Sequence, residues 1–151
     1  SLAAPNHLGK TLVEAEAYDG TSLIIAYAHC IAHGINNTLG IEEQKKAIAC
    51  GHWPLMRYNP DRAMRGENPL TLDSREPTIS FEEYAYGENR YRVLKKINPD
   101  AAKRLMCLAE QDVKKRWKLY QELAKMSYDG SCEEPSNGKK ADLKPEAKIE
   151  A

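Results

Sequence analysis

Residues 21–35 read TSLIIAYAHCIAHGI, an apolar run that ends abruptly in His29, Cys30 and His33. The run Ser22 to Ala28 is apolar at both odd and even positions. Its short length, its β-branched Ile24 and Ile25 and the Asp19-Gly20 turn before it predict a strand buried on both faces, as in parallel sheets. Upstream, Leu8, Leu12, Ala15 and Tyr18 recur at helical spacing and predict a helix over 6–18, closed by Gly20. A helix followed by a buried strand is half of an α/β repeat, so the expected fold class is α/β. One strand makes no sheet, and its neighbours must come from another part of the polypeptide.

His29, Cys30 and His33 fall where that strand ends. In open α/β sheets ligands bind beyond the carboxyl ends of strands. A cysteine thiolate is a soft donor suited to zinc or to iron–sulfur clusters. The same residue types also serve packing: free cysteine often fills space in a core, and histidines satisfy backbone groups. Cys30-x-x-His33 with Cys50-x-His52 supplies four donors of zinc type, which makes a stand-alone zinc-stabilised binding module the alternative. The single-residue gap in the second pair is unlike that of structural zinc sites. A Cys30–His33 nucleophile lacks an identifiable orienting group. The chain has no Gly-rich phosphate loop, no G-x-S-x-G and no H-E-x-x-H. Glu42-Glu43 and Glu82-Glu83 are neighbours on expected helices and so point in different directions.

Downstream, residues 29–40 read as a loop and 41–50 as a helix with Ile41, Lys45, Ile48 and Ala49 on one face and Glu42, Glu43 and Lys46 toward water. HWPLMRYNP (52–60) reads as extended, because Pro54 disfavours helix before it. Residues 60–80 read as an irregular connection, and 81–97 as two helical pieces broken near Gly87. Asn98 is a good N-cap, Pro99 suits the first helical position and Asp100 the positive end of the dipole. From there Ala102, Leu105, Ala109, Val113, Trp117, Tyr120 and Ala124 mark one face of a long helix, 98–126, as a core face or subunit contact. Lys114, Lys115 and Lys118 form its solvated face. Residues 127–151 carry many charges and few large apolar groups, and read as a flexible tail.

Composition bounds the function. The 151 residues carry 22 basic and 22 acidic side chains, a formal net charge of zero. Such a chain has no field to draw in nucleic acid or an anionic membrane. No apolar stretch reaches the roughly 18 residues needed to span a bilayer. Cys30, Cys50, Cys107 and Cys132 are scattered, without a C-x-x-C pair, which suits a reducing interior rather than a secreted disulfide scaffold. The start at Ser1, with the first methionine at Met56, suggests a piece of something larger.

Four blocks occur in sequence: EAEAYDGTSLIIAYAHCIAHGI (14–35), QKKAIACGHWPLMRYNP (44–60), ENPLTLDSREPTISFEEYAYGENRYRVL (67–94) and AEQDVKKRWKLYQELA (109–124). In order and spacing they closely resemble the C-terminal end of the pyruvate:ferredoxin (flavodoxin) oxidoreductases, from about Leu8 to Met126. The resemblance implies a large, usually homodimeric thiamine diphosphate enzyme that converts pyruvate and coenzyme A to acetyl-CoA and carbon dioxide. Electrons pass through [4Fe–4S] clusters to ferredoxin or flavodoxin. It implies that residues 1–58 end the thiamine-binding domain and 59–126 form a C-terminal extension. It also implies that Cys30 is the fourth ligand of the cluster nearest the thiamine. His29 and His33 are then candidates to donate hydrogen bonds to cluster sulfurs or to shape the thiamine pocket. The family's Gly-Asp-Gly start of the Mg²⁺–diphosphate motif, its C-x-x-C cluster motifs and its pyruvate-binding domain are absent from these residues. Thiamine diphosphate and Mg²⁺ would thus be held mainly by other parts of the enzyme, and the chain alone should be inactive and poorly soluble. The implied compartment is the cytoplasm, or alternatively a hydrogenosome or similar anaerobic organelle.

Overall fold

The computed structural model describes residues 1–128; Cys132 and nearly all of the expected tail lie outside the described residues. Six α-helices and one two-stranded antiparallel ribbon are present among them. Helix α1 (Pro5–Ala17) opens the chain, with proline in its first turn. Leu8, Ala15 and Tyr18 are half-buried as the stripe requires, whereas Leu12 is exposed. Residues 22–28 then run outside any helix or strand, with Leu23 83% and Ile25 72% exposed. A strand needs a neighbour for its N–H and C=O groups, and the described residues supply none to this segment.

Two 3-10 turns, Ile31–His33 and Asn37–Leu39, lead into α2 (Gly40–Ala49). The helix stands where the sequence predicts it, but turned about its axis. Gly40, Glu43, Gln44 and Ala47 are its buried residues, while Ile41 is exposed. Polar partners from elsewhere explain the turn. Gln44 reaches the Ser1 hydroxyl at 2.5 Å and the His29 ring at 2.9 Å. The Glu43 carboxylate lies so close to Gly87 that a Cβ there would collide with it.

The stretch 60–80 is more regular than its sequence suggests. It holds a short helix, α3 (Pro60–Met64), and a strand, β2 (Leu70–Leu72). Strand β1 (Met56–Tyr58) pairs with β2 in the register Met56–Leu72, Arg57–Thr71 and Tyr58–Leu70. Asn59 caps α3 by accepting from the Asp61 amide at 2.9 Å. The break near Gly87 is present: α4 (Phe81–Ala85) and α5 (Asn89–Ile97) flank it. Ser80 caps α4.

Helix α6 (Pro99–Lys125) begins as its capping residues dictate, with the Asn98 side chain accepting from the Ala101 amide at 3.0 Å. Ala102, Val113 and Trp117 are buried, Ala109, Tyr120 and Ala124 are half-buried, and Leu105 is exposed. Lys114, Lys115 and Lys118 are exposed, which leaves them on the solvated face. At the far end the Asn68 amide donates to the Leu123 and Met126 carbonyls, groups that no further helical turn would satisfy. Helix α6 packs on α4, α5 and β2. The core gathers Ala47, Cys50, Phe81, Tyr84, Ala85 and Val113 where α2, α4 and α6 meet. None of the helices among the described residues is long and apolar enough to cross a membrane.

Candidate functional site

Cys30 is exposed, and its backbone is extended (φ −126°, ψ 135°) at the entry to the 3-10 turn Ile31–His33. Its carbonyl accepts from the His33 amide at 3.0 Å, which closes the turn. Gly34 leaves the turn in the left-handed region (φ 69°). The thiol is therefore presented outward from a tight turn.

The two histidines are brought near it but are engaged elsewhere. The His29 ring holds Gln44 through Nδ1 and rests so closely on Gly40 that a Cβ there would overlap its Cε1. On the other side of Cys30, His33 lies between two residues of the α4–α5 junction. Its Nδ1 is 3.6 Å from Glu88 Oε1, and its Nε2 is 3.3 Å from Arg90 Nη1.

Beneath the turn runs a polar chain through the core. The Tyr27 and Tyr84 hydroxyls are 2.7 Å apart, and Tyr84 donates to Glu88 Oε1 at 3.1 Å. The other Glu88 oxygen accepts from Arg90 Nε. Tyr84 is fully buried and Glu88 is 1% exposed. Burial first, then the Tyr27 hydroxyl and the Glu88 charge, pushes the Tyr84 phenol far above the usual tyrosine range, so it stays a donor. Glu43 is also buried; its Oε1 has no hydrogen-bond partner among the described residues. Burial raises its carboxyl, and Glu88 adds to the rise while Lys46 opposes it.

The four zinc-type donors do not assemble. The Cys50 thiol faces the core, donates to the Ala47 carbonyl at 3.5 Å and is pushed up by burial. The His52 ring stacks on Tyr84 at 5.1 Å, and burial, then Arg116, lowers its basicity. Among the described residues no group of three or more His, Cys, Asp or Glu side chains is arranged to hold a metal ion. Cys107 stands exposed on α6. What the site offers is a single exposed cysteine thiol with no closed local zinc site around it among the described residues.

Sequence reasoning singles out Cys30, His29 and His33, and does not single out Tyr27, Tyr84, Glu88 or Arg90. The available signal is YAYGE (84–88), an acid placed one helical turn after a tyrosine and just beyond a glycine break. The adjacent acids also separate: Glu43 is buried while Glu42, Glu82 and Glu83 are exposed.

Elsewhere, Arg57 makes paired 2.8 Å bonds to Asp73 and also reaches Glu14 of α1, which ties that helix to the ribbon. An open cleft of about 700 Å³ lies beside this tie, lined by Leu23, Ile24, Ile25, Trp53 and Tyr120; Cys30 is not part of it.

No family model matches the sequence. Among curated proteins, a pyruvate-flavodoxin oxidoreductase of Trichormus variabilis is 54% identical over 122 residues, 81% of this chain and 10% of that protein. A pyruvate:ferredoxin oxidoreductase of Moorella thermoacetica is 52% identical over 122 residues, with the same coverage of 81% and 10%. A mitochondrial pyruvate dehydrogenase (NADP+) of Euglena gracilis is 41% identical over 116 residues, 76% of this chain and 6% of that protein. The chain thus spans about a tenth, or less, of the length of these curated relatives. Identity at this level across four-fifths of the chain is shared ancestry, and the chain belongs, as one matching segment, to the pyruvate:ferredoxin (flavodoxin) oxidoreductase family.

Proposed function

We propose that this chain is the C-terminal segment of a pyruvate:ferredoxin (flavodoxin) oxidoreductase, in which Cys30 supplies one thiolate ligand of a [4Fe–4S] cluster. The whole enzyme would oxidise pyruvate with coenzyme A to acetyl-CoA and carbon dioxide and pass two electrons to ferredoxin or flavodoxin. The observation that carries this reading is the 54% identity over 122 residues to a protein named for that reaction. The exposed thiol of Cys30 and the absence of a local ligand set among the described residues support the ligand role. The cluster, when bound, supplies one-electron transfer. The chain's own part is to hold a thiolate outward at Cys30, with His29 and His33 beside it held by Gln44 and by Glu88 and Arg90. Thiamine diphosphate and Mg²⁺ would be held mainly by other parts of the enzyme.

The same reading gives the segment 22–28 its neighbours. Residues 1–58 would complete a thiamine-binding α/β domain, with Leu23, Ile24 and Ile25 covered by strands from the rest of the polypeptide. Their exposure supports this, since so much apolar side chain in water is unfavourable. Residues 59–126 would form the C-terminal extension. A homodimer in the cytoplasm, or in an anaerobic organelle, fits the family resemblance.

The test is Cys30→Ser in the full-length enzyme, read by iron content and by the electron paramagnetic resonance spectrum of the reduced protein. Loss of one cluster's signal and iron is expected. An unchanged spectrum would sink the ligand assignment. Cys50→Ser and Cys107→Ser are expected to leave the spectrum as it is.

A further inference from the structure

Cys30 is held from both sides by one buried group. Three residues before it, the Tyr27 hydroxyl meets the Tyr84 hydroxyl at 2.7 Å, and Tyr84 in turn donates to Glu88 at 3.1 Å. Three residues after it, His33 faces the same Glu88 carboxylate and the Arg90 guanidinium that the carboxylate holds. The next residue, Gly34, accepts through its carbonyl from the Asn89 amide at 3.3 Å. Gly34 also sits so close to Asn89 that a Cβ would lie 2.5 Å from the Asn89 Cβ. Both arms of the Cys30 turn therefore end on the α4–α5 junction, Tyr84 to Arg90. Of these side chains, Glu88 is the one that links both arms, through Tyr84 at Tyr27 and through the Arg90 it holds at His33, whose Nδ1 stands 3.6 Å from the carboxylate without a hydrogen bond to it.

We propose that Glu88 is the positioning residue for Cys30. Its buried carboxylate clamps the residues on either side of the thiol and fixes where the sulfur stands. The proposal rests on the reading of Cys30 as a cluster ligand. A carboxylate is suited to this role because it accepts from several donors at once and its bonds are charge-assisted. Its burial keeps those bonds from being traded for water. A ligand on an otherwise exposed turn needs such support, because a sulfur free to wander binds a preformed cluster geometry poorly.

The experiment uses the full-length enzyme with Glu88→Ala, Glu88→Gln and Tyr27→Phe, and two readouts. The first is hydrogen exchange of the peptide covering residues 27–35. The second is the spectrum and midpoint potential of the reduced clusters. Glu88→Ala is expected to speed exchange at the turn by about tenfold or more, the equivalent of losing at least one charge-assisted bond. It is also expected to shift or broaden one cluster's signal. Glu88→Gln should restore most of the slow exchange, and Tyr27→Phe should speed it less than Glu88→Ala does. If Glu88→Ala fails to accumulate, Tyr27→Phe still gives the comparison, and a turn that exchanges at the native rate in that variant overturns the clamp. Faster exchange with every cluster signal unmoved overturns the positioning role. Cys30→Ser keeps the two claims apart. If that variant leaves the clusters intact while Glu88→Ala still loosens the turn, the ligand reading fails and the clamp is merely structural.

Discussion

Replacing Tyr84 with Phe removes one oxygen from the centre of the molecule and leaves the ring in place. The ring's contacts with His52 at 5.1 Å and Phe81 at 5.8 Å should survive, so the measurement isolates the hydroxyl. That hydroxyl makes two bonds, one with a neutral phenol and one to a carboxylate. A neutral bond contributes about 1 kcal/mol and a bond to a charged group about 1.5–3 kcal/mol. Tyr27 is only half-buried, and its freed hydroxyl can find water, which offsets part of the first loss. Glu88 keeps Arg90. The expected net cost is about 2–3 kcal/mol, a drop of roughly thirtyfold or more in the folded-to-unfolded ratio. The chain can be fused to a soluble carrier lacking tryptophan and unfolded in urea. Trp53, stacked on Tyr27 at 5.3 Å, and buried Trp117 report on the core. With an m-value of about 2 kcal/mol per molar, the midpoint should fall by about 1 M. Tyr27→Phe should cost about 1 kcal/mol, and the double variant less than the sum. A midpoint for Tyr84→Phe unchanged within error would refute the view that this hydroxyl joins the two halves of the network.

Two further predictions concern charge. Burial holds the Glu43 carboxyl above its ordinary 4.5, so its contribution to stability is full below that pH and is lost as pH rises through the folded value. Glu43→Gln should therefore stabilise the fold by roughly 1 kcal/mol at neutral pH and give little gain at pH 4, read from urea midpoints at the two pH values. Asp73 has the opposite sign. Burial raises its carboxyl, but the Arg57 hydrogen bonds and charge outweigh that and leave it below the usual range. Its contribution is present above the unfolded pKa and lost as pH falls through the folded one. Asp73→Asn should cost about 1–2 kcal/mol at pH 7, with the gap to the native chain closing in acid.

Local signals are legible in the chain. Helix α6 starts where Asn98 and Pro99 place it, and the break between α4 and α5 falls at Gly87, because caps and breakers act within one turn of the chain. The buried face of α2 is not legible. Glu43 reads as a solvent residue, and what buries it and its neighbour Gln44 is Ser1, His29 and Gly87, distant in sequence. The same holds for β2, whose three residues carry no alternation long enough to detect and depend on pairing with β1. At the site, the residue types of His29, Cys30 and His33 announce themselves. Glu88 does not, since a lone acid after a glycine reads as a surface turn until its partners are known.

The contact between Gly40 and the His29 ring has a practical side for anyone recombining these enzymes. A methyl group at position 40 would collide with the imidazole and push it off Gln44. Residues 29 and 40 thus behave as a single inherited unit although they stand well apart in the chain. A chimera with its crossover inside that interval should tolerate the junction beside His29 only when the parent that supplies position 40 carries glycine there. Crossovers before 29 or after 44 keep histidine, glycine and glutamine from one parent and avoid the conflict.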